Sequence, residues 1–219
     1  MKSVKCLDKG FVRLVDSMGD DTAIVQAARV SYQSGSKGEE ADRKLLRYLY
    51  THRHTSPFEQ VEFKFHCRMP IFVARQWVRH RTASLNEISA RYTKLSNDYY
   101  VPDEWRLQDN KNKQSSNGFC SPEYNNICNR SYQYACDQAI RVYHGLIDLG
   151  ISREMARMVL PVSMYTEWYW KQDLHNLLHF LRLRLDSHAQ YEIRVYAEAI
   201  RDLISPIVPW TMEIFKETL

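Results

Sequence analysis

Glycine and proline are scarce in this chain, seven of each in 219 residues, which argues against a loop-rich or disordered polymer. Cysteine is also thin. Cys6, Cys67, Cys120, Cys128 and Cys136 are odd in number and contain no Cys-x-x-Cys, so neither a disulfide framework nor a cysteine-built zinc site is expected. A long apolar run is missing too. No stretch of ~18 apolar residues occurs, so no membrane span is expected. The first residues, MKSVKCLDKGF, lack the apolar centre of a signal peptide, and the expected location is cytoplasmic. Nor does one sign of charge dominate. Thirty Lys and Arg against 26 Asp and Glu leave a net +4, short of the bias of a diffuse nucleic-acid binder. There is no internal repeat and no Rossmann glycine fingerprint.

What is present is patterning. Phe11 to Met18 alternates as a short strand, and DDTAIVQAARVSY follows with helical spacing behind an Asp start. EEADRKLLRYLYTHRH puts Leu45, Leu46 and Leu49 on one helical face and is expected to run to Ser56-Pro57. The clearest strand is QVEFKFHCRM, where Val61, Phe63, Phe65 and Cys67 alternate with Glu62, Lys64, His66 and Arg68. Pro70 then opens a helix, IFVARQWVRHR. From Asp103 to Ser121 the composition turns polar, as in a surface excursion. Ser121 is placed to cap a helix that Gly150 stops. SREMARMVLP reads as a short helix, VSMYTEWYW as β, and DLHNLLHFLRLRL and SHAQYEIRVYAEAIRDLI as helices. Strands scattered among helices without regular alternation predict an α+β fold: a mixed, largely antiparallel sheet flanked by helices, in one domain spanning 1–219 with an excursion at 103–121.

The densest chemistry lies in RQWVRHRTASLNEISARY, Arg75 to Tyr92. At 100° per residue, Ile71, Val73, Ala74, Trp77 and Val78 share one side of the helix, and Arg75, Gln76, Arg79 and His80 share the other. A solvated face is the ordinary explanation of such an arc. Here the arc carries Arg, Gln and His with no Lys, and arginine's planar fork suits phosphates and carboxylates. The turn behind it adds Ser84, Asn86, Glu87, Ser89 and Arg91, a polar loop of the kind that holds ligands. Periodicity alone therefore predicts an anion site of unknown ligand. Two other readings stand beside it. One is a basic nucleic-acid-binding module, and the other a zinc hydrolase using His175 and His179, whose HNLLH lacks the metalloprotease glutamate.

RHRTASLNEIS resembles the pattern Arg-His-Arg-x-x-Ser-x-Asn-Glu-x-Ser of the flavin-dependent thymidylate synthases. AARVSY, HTSPFE, PIFVARQW, SREMARMVLP and LRLRLDSHAQYEIR are similar to segments of the same family in the same order. The resemblance implies reductive methylation of dUMP to dTMP, with 5,10-methylenetetrahydrofolate as carbon donor and FAD reduced by NADPH as hydride source. It also implies a homotetramer with FAD shared between subunits, no nucleic-acid or membrane partner and no metal. For dUMP it implicates Gln76, Trp77, Val78 and Arg79, then Glu87, Ile88, Ser89, Ala90 and Arg91, together with Arg157 and Arg184; Ser89 would hold phosphate. Arg184 is implied as the catalytic residue, pairing with the uracil ring and favouring its ionisation. For FAD it implicates His54, Ser56, Arg79, His80, Arg81 and Glu87, with Asp173, His175 and His179. The chain departs from the family pattern in places. Ala90 stands where Gly is common, Gln60 where His is frequent, and Asp173 and His175 where some members carry Asn and Arg. On the helical wheel His175, His179 and Arg182 flank one side of the Leu174–Leu185 stripe, and Asp173 and Arg184 the other. The two flanks are therefore expected to serve different sites of an assembly.

Overall fold

A computed structural model describes residues 2–33, 35–113 and 115–219. The chain enters through a hairpin, β1 (Ser3–Cys6) and β2 (Gly10–Met18). Helix α1 (Asp21–Arg29) follows, where Asp20 accepts from the amides of Thr22 and Ala23, as an aspartate cap does. Helix α2 (Glu39–Thr51) is shorter than its sequence suggests. Arg53 adopts a left-handed conformation (φ 57°) while the His54 amide bonds back to the Leu49 carbonyl, a Schellman closure that stops the helix before Ser56-Pro57.

Strand β3 (Glu62–Pro70) then crosses the molecule, with Phe63, Phe65, Cys67 and Met69 all buried, as their alternation requires. Next come α3 (Ile71–Trp77), β4 (Ser84–Glu87) and a polar hairpin of β5 (Arg106–Gln108) and β6 (Ser116–Phe119). The long helix α4 (Pro122–Asp148) starts at the Ser121 cap and closes at Gly150 (φ 81°), again with a six-to-one bond, from Ile151 to Leu146. A single turn, α5 (Arg153–Ala156), runs on through a 3₁₀ segment at Arg157–Val159 to β7 (Tyr165–Asp173). Helices α6 (Leu174–Arg184), α7 (Tyr191–Ile204) and α8 (Pro209–Glu217) complete the chain.

The main sheet has the order β1-β2-β3-β7-β4, and every pairing is antiparallel. The expectation of a mixed sheet is corrected on this point. The opposed pairs Phe65–Trp170 and Cys67–Trp168 look inward, onto a core completed by α1, α2, α3, α6, α7 and α8. The other face carries Lys64, His66, Arg68, Glu167 and Tyr169, where His66 stacks on Tyr169 and bonds to Glu167 at 3.0 Å. Asp21, buried in α1, accepts from the Trp210 and Thr211 amides and so caps α8, a helix with no side-chain cap of its own.

Two further expectations change. Helix α3 ends at Trp77 rather than running on to Arg81, and Val78 is 46% exposed instead of facing the core. The stretch after it, expected as a polar turn, contains β4, an edge strand whose four residues are all exposed and which pairs with β7 through register Leu85–Trp170. The excursion is likewise more ordered than a loop, since it folds as the β5–β6 hairpin.

Candidate active site

Helix α3 is where core and site meet. Its first amides are satisfied from outside, Ile71 donating to the Met164 carbonyl and Phe72 to that of Val162, both at 2.9 Å. Its last residue, Trp77, has no exposed surface and packs between Trp168, Trp170, Phe180 and Tyr196, with ring centroids 5.2–5.9 Å apart. The indole therefore anchors the helix and has no face left for a ligand. Of the residues expected at dUMP, Trp77 can offer only its backbone.

On the outward side of α3 is a cavity of about 310 Å³ lined by Arg75, Val78, Glu87, Ile88, Ala90 and Arg157, among others. Glu87 comes from the end of β4, and its Oε1 accepts from the Thr166 hydroxyl at 2.6 Å. Ala90 is buried beside it and is not among the residues with positive φ, so the alanine sits without backbone strain. Ser89 opens the turn behind: its hydroxyl accepts from the Arg91 amide at 3.3 Å and keeps its own proton free to donate.

A second cavity, of about 610 Å³, lies beneath the end of α2. Arg53, His54 and Thr55 line it from the left-handed turn, and His175, His179 and Arg182 from α6. No carboxylate lines it; imidazole, guanidinium and hydroxyl groups stand there beside the apolar side chains of Leu49, Phe58 and Leu178. That donor set fits an anionic, phosphate-bearing cofactor. Asp173 is directed elsewhere: its two oxygens accept from the Asn176 amide (2.9 Å) and side chain (2.8 Å), making it the N-cap of α6. Ser56 is exposed in the adjoining turn, next to Thr55.

Arg184 lines neither cavity and lies against the end of α3. It is half-buried at the end of α6, and it donates from Nε to Nε2 of His80 at 3.1 Å and from Nη2 to the Gln76 carbonyl at 3.2 Å. His80 in turn touches Phe180 and His179 edge-on, at 4.9 and 6.0 Å. Burial, then the charge of Arg184 and then His179 push the His80 imidazole down to about 4. Burial also lowers Arg184. Since a guanidinium only donates, His80 is neutral and carries its proton on Nδ1. The two flanks of α6, which the helical wheel separates, are thus bridged through His80 within one chain.

Arg79, Arg81 and Arg91 project from this region into solvent. Among the described residues, Arg75, Arg79, Arg81, Arg91, Arg157 and Arg184 have no carboxylate within ion-pair distance. Of these, Arg75 and Arg157 line the cavity beside Glu87, and guanidiniums without carboxylate partners there suit an anion from outside.

A family model described as "Thymidylate synthase complementing protein" matches residues 13–210. Over 217 residues the chain is 56% identical to a flavin-dependent thymidylate synthase of Thermus thermophilus, spanning 99% of this chain and 79% of that protein. The chain belongs to the flavin-dependent thymidylate synthases. It is also 52% identical to the Dictyostelium discoideum member, across 97% of this chain and 73% of the other. A UMP/dUMP methylase from Streptomyces cacaoi, solved with 5-Br dUMP, superposes with a TM-score of 0.88 at 37% identity, covering 98% of this chain and 97% of that one.

Several residues of this synthase escape sequence reasoning. Thr166, which holds Glu87, is hidden in an aromatic strand. Arg53 reaches its cavity only because α2 closes in a left-handed turn, which no local pattern at Arg53 announces. Arg75 and Arg182 were visible on the polar arcs of their helices. Among the thiols, burial pushes Cys6 up to about 12 and Cys67 well above the usual range, so neither is an activated nucleophile. For the zinc reading, no group of three or more His, Cys, Asp or Glu able to hold a metal occurs among the described residues.

Proposed function

We propose that this chain binds dUMP against the cavity on the outward side of α3 and FAD against the cavity beneath α2, with Arg184 acting on the uracil. The reaction is that of its family: reductive methylation of dUMP to dTMP, with 5,10-methylenetetrahydrofolate as carbon donor and NADPH as reductant. The observation that carries the reading is that Arg75 and Arg157, guanidiniums without carboxylate partners, line one cavity with Glu87.

In this reading Gln76, Val78, the Trp77 backbone, Arg79, Glu87, Ile88, Ser89, Ala90, Arg91 and Arg157 hold dUMP. Arg79, Arg91 and Ser89 take the phosphate, where charge and a free hydroxyl proton are both useful. Arg184 has five N–H donors, of which two are engaged by His80 and Gln76. The remaining donors face the uracil and stabilise negative charge on it. This makes carbon 5 a better nucleophile, and the charge is fixed in place before it is needed. His80 stays neutral, so it holds Arg184 without competing as a cation. His54, Ser56, Arg79, His80, Arg81, Glu87, His175 and His179 are assigned to FAD; Asp173 serves it by fixing the start of α6. Bound and reduced, FAD supplies the hydride that completes the methyl group.

The assembly is a homotetramer of single-domain chains, 1–219, acting in the cytoplasm. Two features support it. Tyr124, Ile127, Tyr134, Val142 and Leu149 form an exposed apolar line along α4, as a face buried between subunits would. The exposed Arg79, Arg81 and Arg91 are also free to reach a ligand held largely by another subunit. Protein purified with FAD is expected to absorb near ~450 nm, to change that spectrum on adding dUMP, and to release tritium from dUMP labelled at carbon 5. Protein that takes up no FAD overturns the reading.

A further inference from the structure

We propose that Gln190 is a positioning residue for Arg184, and that the β5–β6 hairpin holds it in place through Arg106 and Glu192. The proposal rests on the reading of Arg184 as the residue that acts on dUMP.

The chain of contacts is continuous. Arg184 is held by the backbone carbonyl of Gln76. The side-chain amide of Gln76 is hydrogen-bonded to that of Gln190, the residue immediately before α7. Gln190 donates its other end to Oε2 of Glu192 at 2.8 Å. Glu192 is buried, its side chain only 4% exposed, and Arg106 of β5 grips both of its oxygens at 2.7 and 2.8 Å. Tyr100 adds a hydroxyl to Oε1 at 3.3 Å; burial, then the carboxylate itself keep that phenol protonated and donating.

Each link has a physical reason to be stiff. A buried carboxylate must be satisfied, and Nη2 of Arg106, bridging both oxygens, ties it to β5. Glu192 therefore gives Gln190 an immobile acceptor, and Gln190 gives Gln76 an immobile partner. Helix α3 has only seven residues and ends one position past Gln76. Its last turn sets where the Gln76 carbonyl points and, with it, one of the two anchors of Arg184. The other anchor, His80, lies three residues beyond the end of that helix. Both anchors thus depend on the geometry that Gln190 holds. The polar segment, which looks like a surface excursion in sequence, enters the site's support through Arg106.

The test uses the FAD-loaded enzyme and the variants Gln190→Leu, Arg184→Lys and the two combined. Gln190→Leu keeps size at an exposed position and removes both hydrogen bonds. It is expected to lower kcat for tritium release about tenfold, with dUMP Kd within about twofold and an unchanged flavin spectrum. Combined with Arg184→Lys it should cost little more than Arg184→Lys alone, because both act through one group. Glu192→Gln puts an N–H donor where one carboxylate oxygen accepted, and it should lower kcat in the same direction as Gln190→Leu; parental turnover in it overturns the part assigned to Arg106 and Glu192. A Gln190→Leu enzyme with parental kcat, or a loss fully additive to that of Arg184→Lys, overturns the positioning role. If Arg184→Lys itself turns over like the parent, the reading of Arg184 fails instead, and the two failures are told apart.

Discussion

Arg184 donates its Nε–H to Nε2 of His80 at 3.1 Å, and this one contact fixes the protonation of the imidazole. A guanidinium cannot accept, so Nε2 keeps its lone pair and the ring stays neutral. It also couples the two helix flanks that the wheel of α6 keeps apart, since His80 meets His179 on one side and Arg184 on the other.

His80 therefore titrates low. Its ordinary value of 6.5 falls to about 4, chiefly through burial and then through the charge of Arg184. Above pH 6.5 the ring is neutral in both folded and unfolded chains, and it adds no pH dependence. As pH falls from 6.5 to about 4 the unfolded chain takes up a proton that the folded one refuses, so stability declines across that window and levels below it. Histidine NMR on the apoprotein should show an Nδ1–H tautomer with a midpoint near 4, and His80→Gln should flatten the acid limb of a denaturation series. A midpoint at the ordinary value would refute this account.

Replacing Arg184 by Lys separates charge from geometry. A lysine keeps the cation but loses the planar fork that spans His80 and the Gln76 carbonyl while presenting further donors. We expect kcat to fall by about 10²-fold, with dUMP affinity changed only a few-fold. Arg79→Ala, removing an exposed and unpaired guanidinium, should instead weaken both dUMP and FAD. Titration calorimetry beside the tritium-release assay distinguishes the two patterns.

Much of this was legible in the sequence, for reasons tied to burial. Strand β3 alternates because one face meets a core, and α4 announces itself through the Ser121 cap and Gly150. Of the polar arc expected as Arg75, Gln76, Arg79 and His80, only Arg75 and Gln76 lie on α3, because the helix stops at Trp77. Strand β4 was not legible, since an edge strand with four exposed residues has no apolar alternation to read. Val78 misled because α3 stops one residue earlier, and a wheel assumes a helix that continues. The support from Arg106 to Glu192 joins residues 86 apart in sequence, and long-range hydrogen bonds leave no local pattern.

The cavity beneath α2 predicts how flavin is lost. His175→Ala and His179→Ala each remove an imidazole from its lining without touching the core leucines of α6. Each should raise the FAD Kd several-fold, on the order of one lost hydrogen bond, and the double variant should purify nearly colourless. Prolonged chelation of the parent should leave FAD binding and turnover intact. Loss of activity restored by added zinc would favour the hydrolase-like reading of the same two histidines.

Asp173 offers a sharper discrimination, because capping and cofactor binding call for different chemistry at one position. Its oxygens accept from the amide and side chain of Asn176, so the cap needs an acceptor and not a charge. Asp173→Asn should preserve both stability and FAD affinity. Asp173→Ala should lower stability by ~1 kcal/mol, the usual cost of losing an aspartate cap, and shift Tm downward by several degrees. Because α6 carries His175, His179 and Arg184, fraying its first turn should weaken FAD more than dUMP: the two histidines lie within two turns of the cap, and Arg184 at the far end. If Asp173→Asn lost FAD while keeping its melting temperature, the carboxylate would be a direct cofactor ligand and its assignment as a cap would not account for its presence.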